Sequence, residues 1–339
     1  MGALPCKDDD CTYPRFILKQ LILYKFQQVF HFLPLRHQYV EKFPYDSALM
    51  LGRFSILLLH LKQLKKVQRT GNKIFCFSVY LLTFITLLIY SIFPLVTLAR
   101  KIVLNGNDNF KKDLVFVKGG CFKMGNTFKE SDNNELPAHE VCVDNSYIGE
   151  AEVTQFSWRS VMGNNPSRFK GCDGCPVENV SWNDVQVFIK RINKITGKNY
   201  RLPTEADWEY AARSSGKRER WAGTNRESEL KEYAWYQRNS SKKTHPVKQK
   251  KRNRLGLYDM AGNVWEWVQD WYEKSYYKKS FKNNPGGPSS GDDKVLRGGS
   301  YFFFPRNIRT TRRAMANPDY RFIDIGFRLA ASAKIHFLT

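Results

Sequence analysis

Gly256-Leu-Tyr-Asp-Met-Ala-Gly-Asn-Val-Trp-Glu-Trp267 is the stretch on which the reading of this 339-residue chain turns. Its carboxylates, Asp259 and Glu266, stand seven residues apart and bracket Gly262 and Asn263. Gly and Asn adopt a left-handed backbone with little strain. Tyr258, Trp265 and Trp267 supply aromatic surface that packs such a turn into a core. A loop of this kind can aim carboxylates and backbone carbonyls at one point, as a hard cation such as calcium requires. The spacing is not that of an EF-hand, so a tight turn with a capping Asp and a solvated Glu is the competing reading.

Further segments follow the same order of short motifs: Val117-Lys-Gly-Gly-Cys-Phe-Lys-Met-Gly125, Glu135-Leu-Pro-Ala-His139, Glu152-Val-Thr154, Pro176-Val-Glu-Asn-Val-Ser-Trp182, Arg201-Leu-Pro-Thr-Glu-Ala-Asp-Trp-Glu-Tyr-Ala-Ala-Arg213, Arg297-Gly-Gly-Ser-Tyr301 and Gly326-Phe-Arg328. With the opening stretch, they resemble the formylglycine-generating enzyme family, also called the sulfatase-modifying factor family, from about Leu114 to Ala330. The resemblance identifies a domain type and not, by itself, a reaction. It implies an α+β, irregular, loop-rich fold similar to a C-type lectin domain. It also implies a calcium site built from the Asp259 side chain, the Gly262 and Val264 carbonyls and the Glu266 side chain. The family's other calcium site falls near 234–244, where this chain has no carboxylate between Ala234 and Arg254, and it is not expected here.

In the family's named enzyme, copper(I) is held by two cysteines, five apart, just after the Gly-Gly-Ser motif. Soft thiolates select copper(I). A gapless match puts Phe303 and Ile308 at those positions, and no cysteine follows Cys175. Copper-dependent formylglycine generation is therefore not expected. Trp265 and Ser300 match positions lining the family's substrate cleft, and Arg306, with Arg309, Arg312 and Arg313, would make it basic unless these arginines are solvated or paired in the core. The resulting expectation is a calcium-stabilised binding or accessory module for a protein or peptide partner. The alternative is an oxidoreductase of the formylglycine-generating type acting on a protein cysteine, or another enzyme activity on the same fold.

The formal charge is +22, with 8 Trp, 17 Tyr and 24 Phe. Charge of this size suits nucleic acid or an anionic membrane. The basic residues are dispersed, apart from runs such as Lys248-Gln-Lys-Lys-Arg-Asn-Arg254, and no nucleic-acid module is legible. Nucleic acid is not an expected partner.

Four regions are expected. Residues 1–73 form a basic N-terminal region that is either amphipathic, as Phe16–Leu35 suggests, or the product of an over-long start preceding Met50. Residues 74–98 carry no formal charge and have the length of a membrane-spanning helix. The alternative is a signal segment cleaved after Ala99. Lys62, Lys65, Lys66, Arg69 and Lys73 precede the span, which places the N-terminus in the cytoplasm and the C-terminal domain in a periplasm or outside the cell. Residues 99–113 read as a linker, and 114–332 as the folded domain.

Within that domain, Thr154, Ser181 and Thr204 read as helix caps. The latter two complete capping boxes with Asp184 and Asp207. Four of the seven cysteines fall here. Cys121 and Cys142 sit on strand-like runs that a hairpin would bring together, and Cys172-Asp-Gly-Cys175 is a tight loop. An even count in an exported domain suggests the disulfides Cys121–Cys142 and Cys172–Cys175. A redox or zinc site at the second pair, or buried free thiols throughout, are the competing readings. His139 and His245 are isolated, and read as structural hydrogen-bonding residues.

Overall fold

A computed structural model describes residues 113–129 and 132–333. The expected span at 74–98 and the region before it lie outside the described residues. Among the described residues no helix is long and apolar enough to cross a membrane.

Among the described residues ten strands build three sheets. The first contains β1 (Leu114–Val117), β4 (Ser146–Gly149), β10 (Ala330–Ser332) and β5 (Tyr200–Arg201), in the order β1-β4-β10-β5. The second is a hairpin of β2 (Gly120–Met124) and β3 (His139–Val143), in which Cys121 pairs with Cys142 across the ladder. The third has the order β8-β7-β6-β9, from β6 (Trp265–Trp271), β7 (Lys294–Arg297), β8 (Ala314–Ala316) and β9 (Ile325–Phe327). Only β6 and β9 run parallel in this sheet. The expected disulfides Cys121–Cys142 and Cys172–Cys175 are both present, so neither zinc nor free thiols occupy these positions.

The helices begin and end where their capping chemistry dictates. In α1 (Gln155–Met162), the Thr154 hydroxyl accepts from the Ser157 amide, and Gly163 closes the helix at φ 83°. In α2 (Trp182–Thr196), Ser181 and Asp184 satisfy each other's amides, Val185, Phe188, Ile189 and Ile192 form the buried stripe, and Gly197 stops it. In α3 (Glu205–Ala212), the box is Thr204 with Asp207, and every residue of the helix is buried. A one-turn helix, α4 (Leu230–Tyr233), follows.

Strand β6 separates two cores. Alternation along the strand sends Trp265 and Trp267 into a core with Trp158, Phe188 and Phe327, and sends Val268 into one with Trp208, Tyr210 and Trp221. Long loops join these parts, and buried ion pairs tie them. Arg297, fully buried, donates to Glu209 at 2.6 Å and Glu205 at 3.4 Å, and to the carbonyls of Thr310 and Thr311. Arg313 grips both oxygens of Glu205 at 2.7 and 2.9 Å, and Arg213 reaches Glu209 at 3.0 Å.

Asp270, at the end of β6, accepts from the Glu205 amide at 2.8 Å. Burial, reinforced by the Glu205 carboxylate, pushes its carboxyl up to about 8. The folded state therefore holds a proton that the unfolded chain releases near pH 4. That contribution is complete below the unfolded value and is lost as pH rises through about 8. Asp270→Asn keeps the acceptor and removes the titration. Chemical-denaturation midpoints measured from pH 5 to 8.5 are expected to fall with pH in the parent and to fall distinctly less in the variant.

Candidate functional site: a carboxylate turn and an aromatic loop

The signature stretch forms one tight turn. Asp259, Gly262 and Asn263 all take positive φ, at 56°, 80° and 54°. Gly262 is required twice over, because an added Cβ would meet the Trp235 carbonyl oxygen at 2.0 Å. Asn263 is fully buried and ties the turn to its surroundings. Its amide donates to the Trp235 carbonyl, its Oδ1 accepts from the His245 amide, and its Nδ2 donates to Glu152 at 2.9 Å. Glu152 also accepts from the Val264 amide at 3.2 Å.

Three buried carboxylates gather here around one guanidinium. Arg328 holds Glu266 through two hydrogen bonds of 2.6 Å, and Trp208 donates to the same carboxylate at 2.7 Å. Asp259 accepts from the Lys248 amide through Oδ2 at 2.8 Å, while its Oδ1 is buried with no hydrogen-bond partner. Burial pushes the Asp259 carboxyl up to about 6, and Glu266 adds to the rise against the pull of Arg328. Glu152 is pushed well above its ordinary value by burial, then by Asp259 and Glu266. The buried, unpartnered Oδ1 of Asp259 is an oxygen of the kind that an oxygen-seeking cation takes. Of the two carboxylates expected to hold calcium, Asp259 keeps a free oxygen, whereas Glu266 is already engaged by Arg328 and Trp208. No group of three or more His, Cys, Asp or Glu side chains suited to a metal is found among the described residues. Glu152 is a member of this cluster that the spacing of the signature does not reveal. Its only trace in the sequence is the Glu152-Val-Thr154 motif.

A second feature lies after β7. Gly298 and Gly299, at φ 91° and 74°, turn the chain into an aromatic loop. Phe302 and Phe304 are 58% and 52% exposed, whereas Phe303 lies edge-on to Trp265 at 5.5 Å. Ile308 is fully buried. The positions expected of a copper pair thus hold a ring and an aliphatic chain, and all four cysteines of the described residues are in disulfides. These residues do not fit copper.

Trp265 and Ser300 lie beneath this surface, 5% and 0% exposed, with the Ser300 hydroxyl on Asp324 at 2.6 Å. The four arginines divide sharply. Arg309 is buried against Glu135 at 2.9 Å, Arg313 against Glu205, and Arg312 pairs with Asp132 at 2.6 Å. Arg306 alone of the four is exposed. Of the two readings of these arginines, pairing with carboxylates holds for three, and only Arg306 contributes an exposed charge to the surface. His245 stacks on Trp235 at 3.8 Å and bonds the Ser240 carbonyl, as a structural histidine does.

With this fold and these motifs in place, the chain belongs to the sulfatase-modifying factor enzyme 1-like domain family, which it matches over residues 103–333. The match begins within the stretch read as a linker. The chain is 37% identical over 220 residues to the chaperone protein LppX of Paenibacillus barcinonensis, covering 50% of this chain and 75% of that one. It is 36% identical over 192 residues to the formylglycine-generating enzyme of Streptomyces coelicolor, covering 52% of this chain and 59% of the enzyme. Among solved structures, Treponema denticola variable protein 1 superposes with a TM-score of 0.61 at 35% identity, over 64% of this chain and 94% of that one.

Gly262→Ala is expected to destabilise the domain by about 3 kcal/mol or more, from the positive φ and the overlap with Trp235 together. Urea titration of the two proteins measures the difference.

Proposed function

We propose that this chain is a calcium-stabilised, membrane-anchored binding or accessory module that presents the aromatic loop to a protein or peptide partner, without copper-dependent formylglycine-generating activity. The observation that carries this reading is the replacement of a thiolate pair by Phe303, packed on Trp265, and Ile308, sealed in the core. Neither side chain is a metal ligand. The exposed rings of Phe302 and Phe304 beside the cation of Arg306 support a surface for a partner chain. Contacts of this type, aromatic and Arg, carry much of the energy of protein interfaces. Similarity to a protein named as a chaperone accords with a non-catalytic use of the fold. The uncharged span at 74–98 supports the anchor, and the basic residues before it support a domain outside the cytoplasm.

Two measurements test the reading. Saturating calcium is expected to raise the thermal midpoint of the purified chain by on the order of 5–10 °C over a chelator-treated sample, the size set by a ligand in about hundredfold excess of its Kd on a domain of this length. No shift would remove calcium from the proposal. Separately, a Cys-x-Pro-x-Arg peptide incubated with the chain, copper and dioxygen is expected to keep its thiol, as read by mass. Conversion to the aldehyde would instead establish the oxidoreductase alternative, which the similarity to the Streptomyces enzyme keeps in view.

A further inference from the structure

The Cys172–Cys175 disulfide does more than the fold asks of it. Its ring closes over a sequence separation of 3, against 21 for Cys121–Cys142. A ring this small removes less freedom from the unfolded chain than a large one. The loop backbone is also held without it. The Cys175 amide donates to the Cys172 carbonyl at 3.1 Å, the Gly174 carbonyl accepts from Val247 at 2.9 Å, and Val177 bonds Val153 at 2.8 Å. Opening the sulfur bridge therefore leaves the loop in place.

The two sulfurs are not equivalent. Cys172 is half-buried, and Cys175 is 3% exposed. An incoming thiolate reaches one of them and not the other. The bridge also sits on the N-terminus of α1, whose first amides bond the loop: Gln155 donates to the Cys175 carbonyl at 2.9 Å and Phe156 to the Asp173 carbonyl at 3.1 Å. Those two amides are taken by loop carbonyls, so the loop is fixed on the helix end independently of its sulfurs. The one acid in the loop, Asp173, is matched by Arg159 through two contacts of 2.9 Å, which adds a second hold on the loop. An accessible sulfur, a shielded partner sulfur and a backbone that outlasts the bond suit the loop to exchange, which depends on which sulfur an incoming thiolate can reach.

We infer that Cys172-Asp-Gly-Cys175 is a thiol–disulfide exchange site whose substrate is a protein dithiol. The partner's first thiolate attacks the Cys172 sulfur and forms a mixed disulfide. The bond between Cys172 and Cys175 breaks, and its electron pair leaves on the Cys175 sulfur. The partner's second thiolate then attacks the partner sulfur of the mixed disulfide and releases Cys172. The partner ends as a disulfide, and its two thiol protons end on Cys172 and Cys175. The loop disulfide is itself the oxidant, and the reverse sequence regenerates it at the expense of a disulfide donor.

The test titrates the full-length chain through dithiothreitol redox buffers. Differential alkylation and mass spectrometry read the state of Cys172 and Cys175, while near-ultraviolet circular dichroism reads the fold. The pair is expected to open and close reversibly with the dichroism unchanged. Opening only where the dichroism is lost would overturn the inference. Single-substitution variants provide the second measurement, with an aromatic disulfide reagent as probe and peptide mass spectrometry to assign the labelled cysteine among the seven of the chain. Cys175→Ser, which leaves Cys172, is expected to form a mixed disulfide at least about tenfold faster than Cys172→Ser, as its exposure requires. Equal rates would also overturn it.

Discussion

Guanidinium–carboxylate pairs, sealed from water, hold this domain in shape. Arg297, Arg313 and Arg213 converge on Glu205 and Glu209 of one short helix, and Arg328 closes on Glu266. Removing one partner of such a pair leaves a charge stranded in the interior, at a cost of about 3–5 kcal/mol. Short strands and one-turn helices cannot define long loops by backbone ladders. The arginines do so, because each planar fork fixes several carbonyls and carboxylates at once. Arg297 is the clearest case. It stands immediately before the Gly298-Gly299 turn and also grips the Thr310 and Thr311 carbonyls, so it pins both ends of the aromatic loop. The surface formed by Phe302, Phe304 and Arg306 is thus pre-shaped by a fully buried residue.

What the sequence makes legible is what rests on short-range chemistry. The caps at Thr154, Ser181 and Thr204, the apolar stripe of α2 and the glycines that end α1 and α2 are decided by neighbours three or four residues away. The pairing of Cys121 with Cys142 follows from two strand-like runs and a hairpin. The buried ion pairs are not legible in this way. Glu135 meets Arg309 across a separation of 174, and Glu205 meets Arg313 across 108. A string of arginines between Arg306 and Arg313 reads as a basic surface until those distant acids are known. Glu152 is hidden for the same reason, since it reaches Asn263 across 111 residues. A charged residue embedded in an otherwise apolar motif, as in Gly326-Phe-Arg328, is the one local signal of such a role.

The two halves of the site differ in kind. The carboxylate turn is an interior device: Asp259, Glu152 and Glu266 share one guanidinium, and the turn they flank is held by bonds to Trp235, His245 and Tyr301. The aromatic loop is an exterior one, with Phe302 and Phe304 exposed. Phe303 packs on Trp265 and Ile308 is sealed in the core, so the hydrophobic core reaches the base of the loop.

The first and last strands of the domain flank the same neighbour. β1 and β10 lie on either side of β4, with Leu114 opposite Gly149 and Ser332 opposite Ser146. Two strand spacings across and three residues along place the entry and exit of the chain about 14 Å apart. A unit with adjoining ends can be spliced into a loop of a host protein, or hung from a tether, without either junction straining the other. Evolution can therefore move this domain between architectures as a cassette, leaving its clamps intact while the sequence outside Leu114 and Ser332 decides where it resides.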